Sequence, residues 1–176
     1  MADDYGYPKF DDSQFPLAYL LTFRTYGTWL HGDDRLSVNR DGRNIYGTSR
    51  IGANERLEKW MSEEMKDPPF LLTEAMRRVV DEAVVELCHR RDYILKASNI
   101  RTNHGHVVLS GPAKPERIAD AIKAQATKML RLKGLISQDA RVWSRGRSRR
   151  YLWKPRHVEA AIEYTLYGQG DFELPD

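Results

Sequence analysis

Cysteine is almost missing: Cys88 is the single one in 176 residues. One thiol permits no internal disulfide and no cysteine-based zinc site. It falls in an amphipathic helical stretch, where packing is its expected role. Long apolar runs are missing too, and nothing approaches the ~18 to 20 residues that cross a bilayer. The opening MADDYGYPKFDD is acidic and polar and carries no apolar signal core, so export is not expected. There is no repeat and no low-complexity linker. A cytoplasmic protein, nucleoid-associated in use and without membrane contact, is the expectation.

Net charge is only +3, but its distribution is uneven. Arg141, Arg145, Arg147, Arg149, Arg150, Lys154 and Arg156 lie in one stretch without an acidic residue, and Trp143, Tyr151 and Trp153 are interleaved among them. A cationic strip with aromatic faces suits a phosphate backbone and unstacked bases, although a solvated basic loop has the same composition. Lys123 and Lys128 on a neighbouring helix are further candidates for DNA contact. His31, in a glycine-rich loop, reads as a surface residue.

The hydrophobic pattern predicts one domain over 17–170. A loose arm over 1–16 precedes it, and an acidic tail over 171–176 follows. Residues 17–25 read as a strand, 26–54 as a long loop and 55–65 as a short helix. A helix runs over 73–90 with Thr73 as N-cap. Strands over 93–100 and 104–110 form a hairpin. A helix over 115–133 starts at Pro115 and stops at Gly134. A strand near 151–153 and a helix over 157–167 complete an α+β pattern: an antiparallel sheet covered by helices.

His104 and His106 are two residues apart on a predicted strand. Both imidazoles therefore point to one face, ~7 Å apart along the chain, and can converge on a cation at ~2.1 Å each. Two ligands leave coordination positions open for substrate oxygens. On the last helix, Val158, Ala161, Ile162 and Thr165 form an apolar face. Tyr164 lies roughly 120 to 130° from the middle of that face, on a flank from which it can reach a neighbouring sheet. Its phenol can attack phosphorus when the scissile phosphate is polarised. Tyr167, nearly opposite the apolar face, is the rival. Gln169 offers a neutral oxygen.

Asn103-His104-Gly105-His106-Val107-Val108, a following helix, a basic Trp-containing segment and Ala-Ile-Glu-Tyr-Thr-Leu-Tyr-Gly-Gln-Gly resemble the single-tyrosine transposases of the HUH endonuclease superfamily. These include insertion-sequence and REP-associated tyrosine transposases. The stretch from Tyr19 to Asp33 is similar to the first strand and loop of one transposase-like branch. The resemblance implies a ferredoxin-like or RRM-like antiparallel sheet, with magnesium or manganese at His104, His106 and Gln169. It implies that Tyr164 attacks DNA to leave a 5′-phosphotyrosine, and that the substrates are single strands with hairpins. A homodimer whose tyrosine helices act in trans, or a monomer, would fit the family.

Two features depart from the family pattern. Gly105 stands where a bulky residue is usual, which is expected to leave a core position empty and loosen the strand. Gln169 follows Tyr164 by five residues instead of four. The alternatives are a non-catalytic module that binds single-stranded nucleic acid on an RRM-like sheet, and a phosphohydrolase that uses water.

Overall fold

The structure is a computed structural model that describes residues 15–28, 37–38, 50–51, 55–63, 65 and 67–168. His31, Gln169, the acidic tail, most of the predicted arm and most of the 26–54 loop lie outside the described residues. In chain order the elements are β1 (Ala18–Thr25), β2 (Ser37–Val38), β3 (Arg50–Ile51), α1 (Glu55–Glu63), α2 (Glu74–Arg90), β4 (Ile94–Ile100), β5 (His104–Ser110), α3 (Pro115–Leu132), β6 (Trp143–Leu152) and α4 (Pro155–Leu166). Among the described residues no helix is long and apolar enough to cross a membrane.

Local chemistry explains the boundaries. The Thr73 hydroxyl accepts from the Met76 amide at 3.3 Å and caps α2. Pro115 and Pro155 occupy first-turn positions of α3 and α4, where a missing N–H costs nothing. Gly134, at φ 66, takes the chain out of α3. The two-residue strands β2 and β3 pair with each other inside the stretch expected to be loop.

Four strands form one antiparallel sheet in the order β4-β5-β1-β6. With α2 between β1 and β4 and α3 between β5 and β6, the connectivity is the ferredoxin-like βαββαβ unit. Strand alternation sorts the side chains onto two faces. Tyr19, Leu21, Phe23, Val107 and Leu109 join the α2 and α3 residues in the larger core. Ala18, Leu20, Ala97, Val108 and Leu152 face α4 and pack with its Val158 and Ala161.

β6 is much longer than the short strand expected near 151–153. The reason is visible in its partners. Arg147 and Arg149 lie on the α3 side and form ion pairs with Asp120 at 3.1 Å and Glu116 at 2.6 Å. Charge pairing replaces apolar alternation, so the stretch carries no hydrophobic period.

Gly105 also differs from expectation. It leaves no empty position. A Cβ built there would meet Phe23 Cζ at 2.7 Å, Phe23 Cε2 at 2.8 Å and Ile100 Cδ1 at 2.9 Å. The buried Phe23 ring, packed edge-on against Trp143 at 5.3 Å, fills the space instead. Gly105→Ala should therefore overpack the core and cost ~1 to 3 kcal/mol. Urea unfolding measures it; an unchanged or higher midpoint would show that Phe23 does not sit against Gly105.

Candidate active site

β1 and β5 both change character along their α4-facing rows. On β1 the row reads Ala18, Leu20, Thr22, Arg24; on β5 it reads Val108, His106, His104. Antiparallel register aligns the two changes. Val108 is opposite Leu20, His106 opposite Thr22, and His104 opposite Arg24. On the outer strands Asn99 is opposite His106 and Ser148 opposite Thr22. A polar line, Asn99–His106–Thr22–Ser148, thus crosses the sheet beside an apolar one.

The imidazole rings of His104 and His106 have centroids 4.8 Å apart at 74°. Each ring is oriented through Nδ1. His104 Nδ1 is 2.7 Å from Asn103 Oδ1. An amide oxygen only accepts, so this nitrogen carries a proton, and in the neutral ring the lone pair belongs to Nε2. His106 Nδ1 is 2.8 Å from the Thr22 hydroxyl, which completes the same orientation if the hydroxyl accepts. The turn before His104 is fixed from two sides. The Thr25 amide donates to Asn103 O at 2.9 Å, and the Leu72 amide donates to Thr102 O at 2.7 Å.

His106 is only 6% exposed. Burial, then the neighbouring His104, Arg24 and Arg101, hold its pKa down at about 3. It is therefore neutral near pH 7, the form that ligates cations. Among the described residues no group of three or more His, Cys, Asp or Glu side chains gathers to hold a metal. The donors of the polar line among the described residues include the two imidazoles, each held through Nδ1. They suit a partly open site that substrate oxygens complete.

α4 lies on the apolar line and its C-terminal end reaches the polar one. Tyr164 is half-buried, and its ring stands 5.3 Å from that of His106 at 71°. The next residue is pinned: Asn99 Nδ2 donates to Thr165 O at 2.8 Å. The Gly168 amide then donates to Tyr164 O at 3.0 Å. A Cβ at Gly168 would sit 2.9 Å from Tyr164 Cα, so glycine allows the chain to turn closely past the tyrosine. Tyr167 is 81% exposed and points away.

The basic strip divides. Trp143 is a packing residue whose Nε1 donates to Lys123 O at 3.1 Å and Thr127 Oγ1 at 3.0 Å. Lys123 is buried and donates to Ser144 O at 3.0 Å and Gly146 O at 2.8 Å, tying α3 to β6. Arg147 and Arg149 pair with α3 on the face opposite the histidines. Arg141 lies over the Tyr26 ring at 4.4 Å. Arg145, Lys128 and Lys154 are exposed. Arg150 is opposite Leu20, so alternation places it on the histidine face. Trp153 is exposed and stacks on Tyr151 at 6.3 Å and 16°.

Sequence reasoning does not single out Thr22, Arg24 or Asn99. Their only signal is strand alternation, and it becomes informative once the register with β5 is known.

No family model and no curated protein sequence matches the chain. One solved structure that resembles it is a REP-associated tyrosine transposase bound to a REP hairpin. That likeness has a TM-score of 0.47 and 10% identity, over 92% of this chain and 72% of the other. At that level it decides nothing beyond what the geometry supplies.

A pH effect follows from His106. Its folded pKa, about 3, is below the ordinary value of ~6.5. The unfolded chain therefore binds the proton more readily. The stability from burying the neutral ring is fully present above pH ~6.5 and is lost as pH falls toward the folded value. Unfolding measured from pH 7 to 5 should show a slope of up to ~1.4 kcal/mol per pH unit from this group. His106→Gln should flatten that slope; equal slopes in both chains would contradict the assignment.

Proposed function

We propose that the chain is a transposase-like nuclease that cleaves and rejoins single-stranded DNA bearing hairpins, with residues 17–170 as its catalytic unit. The observation that carries this reading is the Tyr164 ring against His106, beside a second histidine that is likewise held through Nδ1.

In this reading the Tyr164 phenol oxygen attacks phosphorus. The new bond joins tyrosine to the 5′-phosphate. The bond from phosphorus to the 3′-oxygen breaks, and the net proton transfer runs from the phenol to that oxygen. The product is a 5′-phosphotyrosine and a free 3′-hydroxyl, a link that conserves bond energy for rejoining. Nε2 of His104 and His106, with Gln169 as a third donor, would hold magnesium or manganese. Such a cation supplies Lewis-acid polarisation of the phosphate. Asn103 and Thr22 keep the two rings turned, and Asn99 keeps the tyrosine helix in place. The packing of α4 on its own sheet supports a reading in which one chain supplies histidines and tyrosine together, in cis.

Labelled hairpin oligonucleotides, incubated with the protein and magnesium and run on a denaturing gel, test the reading. Wild type should give a covalent protein–DNA adduct and Tyr164→Phe none. Thr22→Val should form it ~10- to 100-fold more slowly, as expected when a ligand's orienting partner is lost. An adduct in Tyr164→Phe would sink the assignment. Binding that survives His104→Ala without any adduct in wild type would instead favour the non-catalytic binding module.

A further inference from the structure

Three aromatic rings lead from the core to the surface. Tyr19, only 1% exposed, stands edge-on to Tyr151 at 5.6 Å and 74°. Tyr151 lies nearly parallel to Trp153, 6.3 Å away at 16°. Trp153 itself is 40% exposed. The innermost ring belongs to the core under α2 and α3, so the outermost is carried on a fixed stack. The backbone fixes it too, because Trp153 stands between the last residue of β6 and Lys154, the N-cap of α4. Trp143 shows what a packing tryptophan does in this fold: its N–H is bonded to α3 and its ring meets buried Phe23. Trp153 belongs to neither core.

The surroundings of this ring select its partner. Lys154 and Arg156 follow it in the chain and are exposed. No acidic residue occurs from Arg141 to Val158, and Glu116, on the same side of the sheet, is paired with Arg149 at 2.6 Å. An apolar partner would use the indole and leave the cations idle. A nucleotide uses both, its base on the ring and its backbone against the positive charge. A ring already held in place also loses little freedom when a base settles on it. We propose that Trp153 is a stacking platform for one unpaired base of a single DNA strand. Tyr151 is opposite Tyr19, so the ladder rises on the sheet face turned away from the histidines. Leu152 is opposite Ala18, four residues of β1 from Thr22, or ~13 Å along the strand. The base held there is therefore not the one at the scissile phosphate. The inference takes its partner from the DNA reading above but does not depend on cleavage.

The test is fluorescence anisotropy in EDTA with two labelled strands of equal length, an oligo-dT and an abasic strand that keeps every phosphate and lacks the bases. Wild type should bind oligo-dT more tightly. Trp153→Ala should weaken oligo-dT binding ~10- to 100-fold, the range for losing one base stack, and leave abasic binding as it was. Trp153→Phe should keep most of the oligo-dT affinity. Trp153→Leu, apolar but without a π face, should behave like Trp153→Ala. Leu132→Ala removes an exposed apolar side chain at the end of α3 and should change neither strand.

Equal losses on both strands in Trp153→Ala would overturn the platform, as would no loss on either or a wild type that binds the two strands alike. Full oligo-dT affinity in Trp153→Leu would also overturn it, because the ring would then be only an apolar contact. Should Trp153→Ala lower the unfolding midpoint, the comparison of Trp153→Phe with Trp153→Leu decides the question, since both keep a large apolar side chain. The two readings fail separately. A base-dependent loss in Trp153→Ala without any adduct in wild type keeps the platform and removes the nuclease. An adduct in wild type with no base-dependent loss does the reverse.

Discussion

The seating of α4 on the sheet is the constraint on which the site depends. Val158 and Ala161 bury against Ala18, Leu20, Ala97, Val108 and Leu152, and that apolar contact fixes the start and middle of the helix. The end is fixed differently. One hydrogen bond from Asn99 to Thr165 O holds the last turn over the polar line. Without the apolar seat, Tyr164 has no fixed distance to His106. Without the Asn99 bond the helix can stay docked while its last turn frays. The site therefore sits where hydrophobic packing gives way to polar contacts, and strands β1 and β5 make that change at the same level.

The helices and the β4–β5 hairpin are legible in the sequence because their signals are local. Thr73, Pro115 and Gly134 punctuate elements whose apolar positions recur at helical spacing. The His104 and His106 pair is legible for the same reason, since alternation needs no partner strand. What is not legible depends on register. Thr22, Arg24 and Asn99 are ordinary residues on their own strands and become neighbours of the histidines only through pairing. β6 reads too short in the sequence because ion pairs with α3 stand where apolar residues would have marked the inner face. Gly105 reads as a gap because the space above it belongs to Phe23, far away along the chain and opposite it across the sheet.

The same sidedness reorders the basic strip. As a sequence it is a single cationic run. Folded, it is a strand whose arginines alternate between a carboxylate-lined helix and the histidine face. Lys123 and Trp143 tie α3 to β6, so replacing them would disturb the frame before it disturbed any ligand. Arg24, outside the strip, lies closer to the proposed chemistry than most of its members. Charge counted along the chain is thus a poor guide to charge at the site.

In the proposed site one chain carries both halves, with Tyr164 set against its own His106. Mixing two inactive chains tests this most directly. A double variant, His104→Ala with His106→Ala, keeps the tyrosine, and Tyr164→Phe keeps the histidines. Assayed together on hairpin DNA beside an active wild type, the mixture should form no covalent adduct. Adduct recovered in the mixture would contradict the cis arrangement, because it would mean that the tyrosine of one chain serves the histidines of another.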